Sequence, residues 1–137
     1  MSASAFFDTN IFVYAVVQDD PRSSRAVELL LEGGTVSVQI LNEFVAVVRR
    51  KTIMSWDEVQ FGLDNIQRIC PNPLPLTVQT HQKALSIADR YGFQIYDALI
   101  VASALEAECP LLYSEDMQDG QVIDGRLTIR NPFKTSE

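Results

Sequence analysis

Short apolar runs alternate with helical patterns from one end of this chain to the other, and that alternation narrows the fold more than any other feature. Residues 5–7 read as a first strand and 10–17 as a short helix. Asp20-Pro21 offers an N-cap followed by a proline at the first helical position. Ala26, Leu29 and Leu30 follow at helical spacing, and Gly33-Gly34 stops that helix. Residues 35–38 form a second strand candidate that runs into a helix from about 39 to 51. Ser55-Trp56-Asp57-Glu58 is a capping box; its helix carries Val59, Leu63 and Ile66 and ends before Pro71. Residues 74–76 are a strand candidate whose prolines place it at an edge or a strand start. Thr77 caps a helix that runs to about Tyr91, with Gly92 as its stop. A helix opened by Asp97 runs to about Glu108, and strands at 111–113 and 127–129 close the chain. Strands interleaved with helices in this way predict an α/β fold, a central mostly parallel β-sheet flanked by helices on both faces.

The length of 137 residues suits one domain over 1–137, large enough to bury a core, and the 47% hydrophobic fraction is that of an ordinary globular protein. The two cysteines, Cys70 and Cys109, show no metal-ligand spacing and no disulfide framework, which fits a reducing cytoplasm. The first positive side chain is Arg22, and Asp8 and Asn10 break the first apolar stretch, so neither a signal peptide nor a membrane span is expected.

Against this background four carboxylates stand in awkward places. Asp8 ends the first apolar run, in Phe6-Phe7-Asp8-Thr9-Asn10. Glu43 interrupts a helix in which Leu41, Phe44, Val45 and Val48 form one apolar stripe, while Ile40, Ala46 and Val47 accompany Glu43 on the other side. Such a helix is expected to pack on both sides, where a carboxylate is costly unless protonated, paired or ligating. Asp97 stands at a helix start, and Asp116 follows a strand in Tyr113-Ser114-Glu115-Asp116. Sites in open α/β sheets form beyond the carboxyl ends of the strands, which is where Asp8 and Asp116 fall. Gathered together, these acids would make an oxygen-rich pocket for Mg²⁺ or Mn²⁺, suited to metal-assisted phosphodiester hydrolysis.

Asp8-Thr9-Asn10, Glu43 on its helix, Asp97 at a helix start and Ser114-Glu115-Asp116 after a strand, in that order, resemble the PIN-domain nucleases. The likeness extends to the closing Asn131-Pro132-Phe133, and length and order are most similar to the VapC-type toxins of toxin–antitoxin pairs. The resemblance implies a PIN-like three-layer sandwich and a Mg²⁺- or Mn²⁺-dependent endoribonuclease. It also implies a cognate antitoxin that covers the site, and a homodimer. By the same resemblance Asp8, Glu43 and Asp97 are three acids that ligate metal directly or through water, and Asp116 is the more variable fourth. Thr9, Asn10 and Ser114 match the small polar neighbours that orient ligands or water. Glu115, Asp116 and Asp119 crowd the fourth position. Alternation near the strand end favours Asp116, because it should share Ser114's side while Glu115 turns away.

A net charge of −7 argues against a nucleic-acid partner, an objection that weakens if acids are metal ligands. Arg49-Arg50-Lys51 is either a set of phosphate contacts or the cationic end that a helix C-terminus favours. His81 is the only histidine, so a metal-free ribonuclease built on a histidine pair is not available to this chain. Tyr96, beside Asp97, is the aromatic placed to meet a substrate. Two other functions remain, a non-catalytic PIN-like scaffold and a receiver-type phosphoacceptor. The second is disfavoured because Thr9-Asn10 follows Asp8 and no lysine lies between Lys83 and Lys134.

Overall fold

In the computed structural model, which describes residues 4–17 and 19–134, four strands form one sheet in the order β1-β2-β4-β3. They are β1 (Phe6–Phe7), β2 (Leu111–Tyr113), β3 (Val122–Ile123) and β4 (Leu127–Arg130). β1 and β2 pair parallel, as do β2 and β4, while β3 pairs antiparallel with β4. Successive side chains in a strand point to opposite faces, yet Phe6 and Phe7 are both buried. The sheet is therefore covered on both sides, as the α/β reading expects.

Among the described residues six helices flank it: α1 (Thr9–Val16), α2 (Ser23–Leu31), α3 (Val38–Lys51), α4 (Trp56–Ile69), α5 (Val78–Tyr91) and α6 (Ile95–Glu106). The local signals act as the sequence indicates at α4 and α5. Ser55 and Glu58 form a reciprocal capping box, Thr77 accepts from the Thr80 amide, and Gly92 closes α5 at φ 76°.

Several expectations are corrected. Asp20 does not cap α2; it accepts from the backbone and side chain of Arg22 in the preceding turn, and the helix starts at Ser23. The 35–38 segment lies parallel beside β1 and the 74–76 segment parallel beside 35–38, but they contribute only isolated bridges, Phe6 with Thr35 and Ser37 with Leu74. Pro73 and Pro75 flank Leu74 and have no amide to donate, which limits that pairing to one residue. α6 starts at Ile95, so Asp97 sits inside the first turn rather than at the cap. The β3–β4 hairpin is an element the sequence expectations lack.

The core runs through β1, α1, α3, α6 and β2, with Phe6, Phe12, Phe44, Ile100 and Leu112 fully enclosed. On α3, Ile40, Phe44 and Val48 form the buried row, so Ile40 belongs with Phe44 and not on the Glu43 side. Glu43 and Val47 lie on the flank of that row, half-buried, and Ala46 is exposed.

Candidate active site

The parallel register builds the centre of the site. Phe6 pairs with Leu112 and Phe7 with Tyr113, so the next residues, Asp8 and Ser114, emerge side by side at the carboxyl edge of the sheet. Ser114 Oγ donates to Asp8 Oδ2 at 2.7 Å, and the Thr9 amide at the start of α1 donates to Asp8 Oδ1 at 2.7 Å. Asp8 is thus the N-cap of α1 as well as the end of β1. Thr9 is buried, and its hydroxyl donates to Glu43 Oε1 at 3.1 Å, joining α1 to α3. Gln39, one turn before Glu43, donates to the other Glu43 oxygen. Asn10 Nδ2 donates to Asp116 Oδ2 at 2.9 Å, so Asp116 is held over the start of α1.

Asp8, Glu43, Asp97 and Asp116 line one cavity of about 550 Å³, together with Thr9 and Asn10. Each of the four comes from a different stretch of chain: the end of β1, the middle of α3, the first turn of α6 and the turn after β2. Among the described residues none of them enters a salt bridge. The acids sense one another. Burial pushes the Asp8 carboxyl up to about 6 against the hydrogen bonds from Ser114 and Thr9, and the Glu43 and Asp97 charges push the same way. Burial also raises Asp97, assisted by Glu43 and Asp116 and opposed by a hydrogen bond from Gln94. Among the described residues, no three acids, cysteines or histidines stand close enough to enclose a cation; the carboxylates rim the cavity.

The neighbours of Asp116 have other partners. Glu115 accepts from Tyr14 Oη and from Arg22 Nη1 at 2.8 Å, and the Arg22 guanidinium lies 3.9 Å from the centre of the Tyr14 ring. Asp119 accepts from the Asn131 amide at 2.9 Å, and Asp124 pairs with Arg90. Ser114 and Asp116 face Asp8 and Asn10 while Glu115 turns to Arg22, in keeping with strand alternation. His81 is exposed on α5.

The sequence expectations lack Tyr14 and Arg22, which line this cavity, and Gln39, which holds Glu43. Asn10 and Tyr14, like Gln39 and Glu43, are separated by four positions on one helix and so share a face; that spacing was a readable signal. Nothing local to Arg22 points to Glu115, which is 93 residues away.

A PIN-domain family model matches residues 5–118, and the chain belongs to the PIN-domain family. Solved structures share its fold at low sequence identity. A toxin–antitoxin complex from Klebsiella pneumoniae aligns with TM-score 0.72 and 18% identity, covering 96% of this chain and 100% of that one. VapC20 of Mycobacterium tuberculosis, a toxin that cleaves the sarcin-ricin loop, aligns with TM-score 0.68 and 18% identity, over 82% of this chain and 90% of that one. VapBC2 from Rickettsia felis, bound to a DNA fragment from its promoter, aligns with TM-score 0.64 and 18% identity, over 92% and 96%. A comparison with curated proteins gives no match. Among the described residues, no helix is long and apolar enough to cross a membrane.

Proposed function

We propose that this chain, acting over 1–137 as one nuclease domain, is a divalent-metal-dependent endoribonuclease and the cytoplasmic toxin of a type II toxin–antitoxin pair. The observation that carries this reading is the gathering of Asp8, Glu43, Asp97 and Asp116 from four separate elements around one cavity. Asp8 and its neighbours are tied down by hydrogen bonds that span up to 106 residues of sequence. A scaffold that only bound a partner would have no need for mutually repelling carboxylates, one of them buried at the end of a strand. PIN family membership and the toxin folds aligned above support the nuclease reading over a receiver-type phosphoacceptor.

The donor set fits Mg²⁺ or Mn²⁺. Every candidate ligand is a hard oxygen, and the two raised acids are relieved by a cation. An open rim suits Mg²⁺, which keeps several waters and takes few direct protein ligands. Asp8, Glu43 and Asp97 would hold the ion, with Asp116 contributing through water. The chemistry such an ion supplies when bound is Lewis acidity toward the scissile phosphate and an acidified water at neutral pH.

The chain's own groups do the positioning. Ser114 and the Thr9 amide fix the Asp8 carboxylate, Thr9 Oγ1 and Gln39 fix Glu43, and Asn10 fixes Asp116. Water attack on phosphorus with the 3′ oxygen leaving gives a 5′-phosphate and a 3′-hydroxyl. The partners in this reading are RNA, a second copy of the chain and an antitoxin that places a basic side chain among the acids. The test is cleavage-site mapping on total RNA. Mg²⁺-dependent cuts bearing 5′-phosphates are expected; cleavage undiminished in excess EDTA, or 2′,3′-cyclic phosphate ends, would refute the mechanism.

A further inference from the structure

The three cations at the end of α3 divide into two kinds. Arg49 is engaged locally: its guanidinium donates to the Met54 carbonyl at 2.7 Å and lies 4.3 Å from the Trp56 ring centre. Arg50 and Lys51 instead line the acid cavity, and among the described residues neither enters a salt bridge. A helix C-terminus favours cations in general, but that does not explain why two of the three border an acidic hollow.

Arg50 also borders a second cavity, of about 420 Å³. The two cavities share Glu43, Val47, Arg50 and Asp97, so they form one groove running across the acids. Tyr96, 57% exposed beside Asp97 in the first turn of α6, lines the second cavity. A large aromatic left in water next to a carboxylate is not there for the core. The groove therefore brings Arg50 and Lys51, the carboxylates and one exposed aromatic ring together along one surface, the equipment of a single-strand channel: cations for the backbone and a flat ring for a base.

We propose that single-stranded RNA lies in this groove with a nucleotide flanking the scissile bond stacked on Tyr96 and backbone phosphates held by Arg50 and Lys51. The assignment rests on the nuclease reading above and adds to it the strand path and the base-binding platform. Stacking tolerates every base, so Tyr96 supplies affinity and favours unpaired RNA, whose bases are free to splay out. Arg50 supplies a salt-dependent term in a molecule whose net charge is −7.

The test is fluorescence anisotropy of a labelled ten-nucleotide single-stranded RNA of mixed sequence, with the full chain in EDTA and again in Ca²⁺, beside cleavage kinetics in Mg²⁺. Tyr96→Ala should weaken binding roughly 5- to 150-fold and Tyr96→Phe should restore it. Arg50→Gln should weaken binding and lower the slope of log affinity against log salt by about 0.7. Arg126→Gln, on the exposed β3–β4 turn, should do so much less. In cleavage, Tyr96→Ala should raise KM more than it lowers kcat. Wild-type affinity in Tyr96→Ala and Arg50→Gln, a Phe variant as weak as the Ala variant, or a wild-type chain that binds no RNA in either condition overturns the proposal. A chain that binds through Tyr96 and Arg50 but never cleaves would leave the groove standing and remove the nuclease reading. Cleavage with unchanged KM in both variants would do the reverse. If the same substitutions weaken only a protein partner and not RNA, the groove is a docking face for protein instead.

Discussion

Asp8 is only 7% exposed, sits at the end of a buried strand and has no cation beside it among the described residues. Its carboxyl is lifted from the ordinary 3.8 to about 6, chiefly by burial. Between those values the folded chain holds more protons than the unfolded one, so stability falls as pH rises through that window. The full effect is on the order of 3 kcal/mol at pH 7. Asp97 is raised as well and acts with the same sign. Thermal unfolding in EDTA should therefore give a more stable protein at pH 5 than at pH 7, and Asp8→Asn should flatten that difference and raise stability at pH 7. A wild-type chain more stable at pH 7 would contradict the burial argument. In the same variants cleavage should move the other way: Asp8→Asn, Glu43→Gln and Asp97→Asn should each cut turnover roughly a hundredfold or more while the fold is retained. If one of them keeps near wild-type cleavage at saturating Mg²⁺, that residue is no ligand.

Asp116 is our proposed fourth acid, and the partners of its neighbours support it. Glu115 is engaged by Tyr14 and Arg22 and Asp119 by the Asn131 amide, whereas Asp116 hangs from Asn10 at the cavity. Across a Mg²⁺ series only Asp116→Asn should raise the metal requirement, and by less than Asp8→Asn, with Glu115→Gln and Asp119→Asn unchanged. A raised requirement in Asp119→Asn alone would mean that the turn after β2 aims differently.

Among the elements, what was legible in sequence follows from how local the cause is. The capping box at Ser55, the Thr77 cap and the Gly92 stop depend on neighbours within a turn, and all three form as read. Ser55→Ala should accordingly destabilise by about 1 kcal/mol, measured by urea unfolding, with no effect on the cavity. Asp20 misled because a preference for N-caps does not say which turn the side chain serves; Arg22 captured it. Asp124-Gly125 was a readable hairpin signal, and both residues have the positive φ that primed turns need. Of the site, the order and spacing of the acids could be read, because Asp8 and Asp116 follow strand ends, Asp97 stands in the first turn of a helix and Glu43 breaks an apolar helical pattern. Arg22 reaching Glu115, and the Ile40 side of α3, could not be read, because tertiary packing decides them.

Close packing at one glycine shows how sharply an element can be set. A Cβ on Gly34 would lie 2.3 Å from the Phe7 ring and 2.8 Å from the Ala5 carbonyl oxygen. Phe7 is buried and the Thr35 amide bonds Ala5, so neither can give way. Gly34→Ala should cost roughly 1–3 kcal/mol by strain at the edge of β1, read as a lowered denaturation midpoint. An unchanged midpoint would mean that the 33–35 segment shifts freely.

At the scale of the whole molecule, the apolar surface left over is not on α3, which buries one row in the core and gives its flank to the cavity. It lies at Leu31 at the end of α2 and on and around α4 and α5, where Ile53, Trp56, Phe61 and Val78 are exposed. That surface motivates a homodimer at micromolar concentration, and sedimentation showing only monomer at high concentration would refute it. The fold brings four carboxylates from separate elements to one cavity, where the proposed cation would relieve their repulsion. The most direct test is equilibrium Mn²⁺ titration of the wild-type chain and of Asp8→Asn, followed in parallel with RNA cleavage. Saturable Mn²⁺ binding that raises the wild-type unfolding temperature and tracks the appearance of cleavage is expected, with both lost in Asp8→Asn. Equal Mn²⁺ binding by the two proteins, or cleavage that proceeds without it, would contradict the account.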